Sequence, residues 1–173
     1  MRVLPTFRKP LIAAINGLAI GGGLETALMA DIIVCSANAK FSMPEVNYGL
    51  NPGLGGCKRL LQAMGKTKTL DMMLTADTID AQDALKWGLV SRVYPDDESS
   101  LLSGAIELAG KIASKPLMAA CYIKRSIRHS LEVGETAAIA FERSLMIAST
   151  NSYDSQEGVS AFLSKRKPNY LNK

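Results

Sequence analysis

Short apolar runs separated by turn-forming residues make up the first part of the chain. Residues 11–20 have the sequence LIAAINGLAI, which predicts a buried strand interrupted at Asn16-Gly17. A short buried helix has the same hydrophobic pattern, but Pro10 and the β-branched isoleucines favour the strand. The predicted elements of this part are a strand at 11–20, a helix at 25–30, strands at 31–37 and 39–43, a loop at 44–56 and a helix at 57–63.

Helical patterning dominates the rest of the chain. The predicted elements there are helices at 68–74 and 81–87, a strand at 89–95, and helices at 100–114, 116–131, 135–149 and 156–166. The acidic run Asp96-Asp97-Glu98 is the expected boundary, so we predict two domains, residues 1–97 and residues 98–173. Strands that alternate with helices, followed by helices alone, predict an α/β layered core with an all-helical region after it.

The composition is that of a folded globular chain. Its 173 residues are enough for one core, and 47% of them are hydrophobic, which excludes a disordered linker. No apolar run reaches the length of a membrane span, so we expect no membrane association. The formal charge of +4 suits an anionic small molecule and does not by itself indicate nucleic acid.

Cysteine and histidine usage narrows the chemistry further. The three widely spaced cysteines, Cys35, Cys57 and Cys121, favour reduced thiols in an intracellular protein over a disulfide framework. With a single histidine, His129, a histidine-based metal site is not expected. His129 lies in a basic stretch, which favours a surface residue over a catalytic base. Residues 53–58, GLGGCK, lack the last glycine of a dinucleotide-binding pattern.

Three consecutive glycines, Gly21 to Gly23, stand between a predicted strand and a predicted helix. Glycine admits backbone angles closed to other residues and lets another molecule approach closely. The N–H groups at a helix start have no partner inside the helix and favour negative charge, so one of them could form an oxyanion hole. The alternative is a tight turn needed only for strand–helix packing, and the glycines alone favour that alternative.

Two carboxylates follow this turn. Glu25 stands in the first turn of the predicted helix among apolar neighbours, and Glu45 follows Pro44 in a glycine-rich segment. Each has a structural explanation, since a first-turn acid offsets the helix dipole and a loop acid is usually solvated. A buried carboxylate, however, requires partners. The two side chains could instead share one water molecule and move protons beside a polarised carbonyl.

The basic tail SAFLSKRKPNY, residues 160–170, contains one embedded phenylalanine. Phe162 and Lys165 are three residues apart, so on a helix both can face one ligand. The charge pattern alone favours a solvated C-terminal face over a binding site.

Four blocks of the sequence resemble the enoyl-CoA hydratase (crotonase) family, most closely its short-chain hydratase branch. They follow one another in the family's order across nearly the whole chain, and the resemblance implies a crotonase-like spiral of β-β-α turns in residues 1–97. It also implies that the helices of residues 98–173 form homotrimers, commonly stacked into hexamers, and contact CoA. The blocks are IAAINGLAIGGGLETALMAD, FSMPEVNYGLNPGLGGCKRL, TIDAQDALKWGLVSRVYP and EGVSAFLSKRKPNY.

The resemblance implies roles for individual residues near the glycine turn. The N–H of Gly22 would form half of the oxyanion hole, and Gly21 and Gly22 would lie against the CoA thioester. Glu25 would act as the base toward water, and Glu45 would deliver a proton to the carbon next to the carbonyl. The implied activity is the hydration of trans-2-enoyl-CoA to 3-hydroxyacyl-CoA in fatty-acid β-oxidation.

For the tail, the resemblance implies that Phe162 and Lys165 contact the adenine and phosphate of CoA, often from a neighbouring subunit. No cofactor is implied, because coenzyme A is part of the substrate, and no metal is implied. The expected partners are therefore an acyl-CoA thioester and further copies of the chain.

The family's N-terminal third, which normally carries the second oxyanion N–H, has no counterpart in this sequence. We therefore expect the 173 residues to be a fragment with weak or no activity alone. The mitochondrial matrix and the cytoplasm both remain open as its compartment.

Other readings of the same residues remain open. Sister enzymes of the family include an isomerase, which typically keeps one carboxylate of the pair, and a branched-chain hydratase. The presence of both Glu25 and Glu45 favours the hydratase. A scaffold or RNA-binding member of the fold is the alternative outside catalysis, motivated by the basic segments at 124–129 and 165–167. It is the least favoured reading, because no aromatic side chains line a basic groove.

Overall fold

The computed structural model describes residues 6–172. These residues form two compact units. The first comprises residues 11–108 with residues 6 and 7, and the second comprises residues 8–10 and 109–172. One helix, Glu98–Ala113, contributes to both. The predicted domain boundary after residue 97 stays a prediction.

Two three-stranded sheets form the framework of the first unit. One sheet has the order β1 (Ile12–Ile15), β3 (Ile32–Ser36) and β6 (Arg92–Tyr94), and all its pairs are parallel. The other has the order β2 (Leu18–Ile20), β4 (Lys40–Ser42) and β5 (Ile79–Asp80). In this second sheet β2 and β4 are parallel, whereas β4 and β5 are antiparallel.

The chain builds these sheets by a repeated turn. β1 and β2 are joined at Asn16-Gly17, where Gly17 has a φ of 96°, and the two strands enter different sheets. Helix α1 (Gly22–Ala27) follows, and then β3 and β4 enter the same two sheets in the same order. Ile12 pairs with Ile32, and Leu18 pairs with Lys40. Each β-β-α turn therefore lies beside the previous one as a spiral.

Six further α-helices follow α1 within residues 6–172. The first unit contains α2 (Gly56–Thr75) and α3 (Ala81–Lys86). Helix α4 is Glu98–Ala113, and the second unit then continues with the helices of the C-terminal region. Those helices are α5 (Leu117–Ser130), α6 (Glu135–Thr150) and α7 (Tyr153–Leu163). None of the helices in residues 6–172 combines the length and apolar composition that a bilayer crossing requires.

Several predicted elements differ from the structure in detail. Helix α1 begins at Gly22, three residues before the predicted start, so two of the three glycines lie inside its first turn. The predicted loop at 44–56 begins with a 3-10 helix, Pro44–Tyr48. The two predicted helices at 57–63 and 68–74 are one element, interrupted by non-helical backbone at Gly65.

The hydrophobic core of the first unit surrounds the end of the glycine turn. Its fully buried side chains include Leu24 of α1, Phe41 of β4 and Leu60 of α2. Glu25 follows Leu24 directly and is only 3% exposed. The predicted burial of this carboxylate is therefore observed, and it creates a demand for hydrogen-bond donors.

Substitution of Gly104 by alanine should destabilise the protein. Gly104 lies in α4, where an added Cβ would overlap the ring of Tyr94, whose hydroxyl also donates to the Gly104 carbonyl at 3.1 Å. Forcing a methyl group into such a contact costs about 1–3 kcal/mol. The free energy of unfolding, measured by urea titration, should fall by that amount.

Gly110→Ala is the matched control in the same helix. A Cβ at Gly110 meets nothing within 4 Å, so this change should raise stability by about 0.5–1 kcal/mol through helix propensity. Equal effects of the two substitutions would contradict the packing argument.

Candidate active site

The carboxylate of Glu25 is bound by a loop about thirty residues away in sequence. Oε1 accepts hydrogen bonds from the backbone N–H groups of Leu54 and Gly56, both at 2.8 Å. Charge-assisted bonds of this kind offset the cost of burying a carboxylate. No donor among residues 6–172 bonds Oε2. One oxygen is thus fixed by the protein, and the other remains available to a ligand.

The glycine at position 56 allows this close approach. A Cβ at Gly56 would lie 2.8 Å from Met43 Cε and 3.1 Å from both Cγ and Oε1 of Glu25. Any larger residue would have to displace the carboxylate or the methionine. The glycine-rich sequence after Pro52 therefore has a structural purpose, which is to place two N–H groups against a buried side chain.

Glu45 stands in the first turn of the 3-10 helix and reaches back to the glycine turn. Its Oε1 lies 3.0 Å from the position that a Cβ on Gly21 would occupy. Its Oε2 is buried and has no hydrogen-bond partner among the described residues. Buried polar atoms are nearly always paired, so an unpaired carboxylate oxygen is typical of a position that meets a ligand.

Gly21 itself is fixed by the sheet. Its N–H donates to the Ser42 carbonyl at 2.9 Å, and its φ of 53° with ψ of −124° suits only glycine. The contact with Glu45 adds a second reason for glycine, because a side chain at position 21 would meet the carboxylate.

Gly22 and Gly23 face open space. Both are exposed, and a Cβ at either position would meet nothing within 4 Å. Gly22 is the first residue of α1, so its N–H has no acceptor inside the helix. No hydrogen bond from this N–H to another element is found in residues 6–172. The turn therefore presents a free donor of the kind that an oxyanion hole uses.

The structure brings most of the predicted polar residues of the first unit to one region. Glu45 contacts Gly21, which directly precedes Gly22, and Glu25 stands one helical turn further along α1. Two carboxylates and a free N–H are suited to proton transfer next to a carbonyl group whose oxygen gains charge. The donors of Leu54 and Gly56 were missed by sequence reasoning. Only the clustering of glycines at 53, 55 and 56 could have pointed to them.

The tail residues differ from their predicted arrangement. Phe162 is 81% exposed in α7, but the helix ends at Leu163 and Lys165 lies beyond it with a left-handed φ of 52°. The prediction that Phe162 and Lys165 share one helical face is therefore wrong. The chain leaves the helix through hydrogen bonds from Lys165 N–H to the Phe162 carbonyl and from Arg166 N–H to the Ala161 carbonyl. This pair of bonds is a Schellman motif.

Two carboxylates of α7 hold the residues after this motif. Glu157 binds the Arg166 guanidinium through both oxygens, at 2.6 and 2.7 Å, and accepts the N–H of Asn169 at 2.8 Å. Asp154 accepts the N–H of Leu171 at 2.7 Å. The tail therefore folds back along α7, which fixes the backbone on both sides of Lys165.

The single histidine and the three cysteines are the remaining titratable candidates. His129 is half-buried rather than on the open surface, because its ring packs at 4.2 Å from that of Phe141. Cys35, Cys57 and Cys121 are free thiols, and burial raises the pKa of Cys35 to about 11. Within residues 6–172 no group of three or more histidine, cysteine or carboxylate side chains could hold a metal ion.

Comparison with known proteins identifies relatives along the whole chain. The family profile described as enoyl-CoA hydratase/isomerase matches residues 1–173. The chain is 43% identical over 167 residues to 2,3-dehydroadipyl-CoA hydratase of Escherichia coli K12, covering 96% of this chain and 65% of that protein. It is 41% identical over 167 residues to the mitochondrial enoyl-CoA hydratase of Pongo abelii, covering 96% of this chain and 57% of that protein. The chain thus spans less than two thirds of these curated relatives.

Solved structures have the same fold. A crystal structure from Geobacillus kaustophilus, described as enoyl-CoA hydrates subunit I, superposes with a TM-score of 0.94 at 38% identity. The match covers 98% of this chain and 65% of that one. The predicted class, an α/β crotonase-like spiral followed by a helical region, is confirmed by this likeness.

Gly56→Ala should damage both stability and the binding of Glu25. The added methyl group meets the Met43 side chain and the Glu25 carboxylate, and overpacking of this kind costs about 1–3 kcal/mol. Urea titration should show the loss.

Gly53→Ala provides the control in the same segment. A Cβ at position 53 meets nothing within 4 Å, so stability should change by less than about 0.5 kcal/mol. A tolerated alanine at position 56 would show that the loop does not hold Glu25 as described.

The attachment of the tail to helix α7 should weaken at low pH. The bonds from Arg166 and the Asn169 N–H lower the pKa of Glu157 from 4.5 to about 2. A carboxylate whose pKa is depressed by folding stabilises the folded state at pH values above its pKa in the unfolded chain. This contribution is lost as the pH falls through the pKa of the folded state. The tail should therefore be held fully above pH 4.5 and should detach toward pH 2.

The amide resonance of Asn169 in nuclear magnetic resonance spectra reports this titration. It should move with a midpoint near pH 2 in the parent chain, and Glu157→Gln should abolish the movement. A midpoint near the ordinary 4.5 would show that the Arg166 bond is not formed in solution.

Proposed function

The chain belongs to the enoyl-CoA hydratase/isomerase family, and from this premise we propose that the protein carrying it hydrates trans-2-enoyl-CoA thioesters. The product is 3-hydroxyacyl-CoA, and the proposed setting is fatty-acid β-oxidation. The observation that carries the proposal is the arrangement of Glu25. One of its oxygens is bound by two N–H groups, while Glu45 and the free N–H of Gly22 belong to the same region.

The proposed reaction adds the two parts of water to the two carbons of the double bond. Glu25 takes a proton from water through its unbound oxygen, and the hydroxyl oxygen forms a bond to C3. The π electrons move onto C2 and the thioester oxygen, which accepts a hydrogen bond from Gly22 N–H. Glu45 then gives its proton to C2. Solvent afterwards removes the proton from Glu25 and restores the one on Glu45, so the cycle closes without another reactant.

The free N–H of Gly22 at the start of α1 supports its proposed role as an oxyanion donor. Charge develops on the thioester oxygen only in the transition state, so a donor fixed beforehand lowers the barrier. A single donor of this kind is typically worth about 3–4 kcal/mol. Gly21 and Gly22 would lie against the thioester, where the open space above the turn leaves room for it.

The tail is proposed to bind the nucleotide part of the substrate. Phe162 offers an exposed ring on which an adenine can stack, and Lys165 offers a cation for phosphate. We propose that these residues contact the CoA of a neighbouring copy, in a homotrimer or hexamer. No separate cofactor takes part, because coenzyme A is carried by the substrate.

Crotonyl-CoA tests the proposal in the whole protein that carries this chain, since hydration removes the ultraviolet absorbance of the conjugated thioester. Glu25→Gln and Glu45→Gln should each lower kcat by about 10²–10⁴-fold, because each removes one proton-transfer step. An isomerase should tolerate one of the two changes. Glu132→Gln, at an exposed glutamate in the second unit, is the control and should leave the rate unchanged.

Two results would contradict the proposal. One is a whole protein, carrying this chain, that binds crotonyl-CoA without consuming the conjugated thioester. The other is a hydration rate that survives either glutamate substitution within a factor of about ten, the lower limit expected for a general acid or base.

A further inference from the structure

Arg59 makes a contact that the proposed chemistry does not use directly. It stands in the second turn of α2, and its Nη1 donates to the Leu54 carbonyl at 2.6 Å. The guanidinium also covers Gly55, so that a Cβ at that position would overlap Nη1. The side chain therefore reaches back over the segment from which Glu25 is bound.

The order of the peptide groups in this segment shows how the Arg59 contact can affect Glu25. The N–H of Leu54 and the N–H of Gly56 belong to the peptide groups 53–54 and 55–56, and both bind Glu25 Oε1. The peptide group between them, 54–55, carries the carbonyl that Arg59 binds. Fixing the middle peptide group also restricts the rotation of its two neighbours, because they share the α-carbons of Leu54 and Gly55.

The composition of the segment makes such a restraint necessary. Three of the four residues 53–56 are glycine, and Gly55 has a φ of 97°. Glycine has more backbone conformations available than any other residue, so an untethered segment would rarely direct both N–H groups at one oxygen. The rest of the segment has few alternatives for anchoring, since Gly53, Leu54 and Gly55 are exposed.

We propose that Arg59 is a positioning residue for Glu25: by binding the Leu54 carbonyl, it holds the two flanking N–H groups on the carboxylate. Arginine suits this role because its planar guanidinium holds its donors in a fixed geometry, whereas lysine has a flexible point charge. The catalytic consequence rests on the proposed hydration, but the effect on the geometry of Glu25 does not.

Nuclear magnetic resonance tests the geometry without any substrate. The amide protons of Leu54 and Gly56 should resonate downfield in the parent chain, because both bind a carboxylate, and Glu25→Gln should shift both upfield. Arg59→Met keeps the apolar stem and removes the donor, so it should shift both resonances in the same direction as Glu25→Gln. Lys58→Met, which removes a charge from the adjacent exposed residue, should leave them unchanged.

Arg59→Lys separates positioning from folding. Lysine keeps a donor that can reach the same carbonyl, so it should return the two resonances part of the way to their parent positions. Parent-like Leu54 and Gly56 resonances in a folded Arg59→Met chain would overturn the proposal. A Lys58→Met spectrum with the same changes would also overturn it, because the effect would then be one of charge alone.

Crotonyl-CoA kinetics of the whole protein that carries this chain give the second readout. A displaced Glu25 should lower kcat by roughly 10–100-fold in Arg59→Met while KM changes little, since misplacement of about 1 Å can cost 10²-fold. An unchanged kcat with shifted resonances would refute the link to catalysis. If the parent protein does not hydrate crotonyl-CoA, the proposed function fails, while the resonances still decide whether Arg59 positions Glu25.

Discussion

Burial of the Glu25 carboxylate imposes a constraint on the whole of the first unit. A charged group that is 3% exposed must find donors, and neither helix α1 nor the adjoining sheet supplies them. They come instead from the backbone of Leu54 and Gly56, 29 and 31 residues along the chain. The segment after β4 must therefore return to α1 before helix α2 can begin.

This return explains the unusual glycine content around the site. Gly21 must leave space for Glu45, and Gly56 must leave space for Glu25 and Met43. Gly55 has a left-handed backbone and lies under the Arg59 guanidinium. Each of these glycines answers a different requirement, either backbone angle or close approach. Together they bring two carboxylates to the start of one short helix whose first N–H is free.

Sequence reasoning predicted the alternation of strands and helices because each strand here is a short apolar run bounded by turn residues. It located β3 and β4 within a residue or two, but it predicted residues 11–20 as one interrupted strand. The structure instead has two strands there, β1 and β2, which turn at Asn16-Gly17 into different sheets. It missed β5, which has only two residues, Ile79–Asp80, and is therefore too short to show a period. The start of α1 was placed too late, because a glycine run indicates a turn more strongly than a first helical turn.

The site was predictable only in its side chains. Glu25 and Glu45 could be singled out, since a carboxylate among apolar residues or beside glycines is conspicuous in a sequence. The N–H groups that bind Glu25 could not, because nearly every residue carries one and only the folded path decides which of them converge. Lys165 was misplaced for a related reason: hydrophobic periodicity does not show where a helix ends when the capping residue is not glycine.

The left-handed conformation of Lys165 has an evolutionary consequence. The left-handed backbone conformation is roughly 1–2 kcal/mol less favourable for a residue with a side chain than for glycine. Glycine is the usual residue at this position of a helix end. Selection acting on thermal tolerance alone would steadily favour glycine there. A lineage that keeps lysine at this position therefore accepts a weaker helix end than one that changes to glycine.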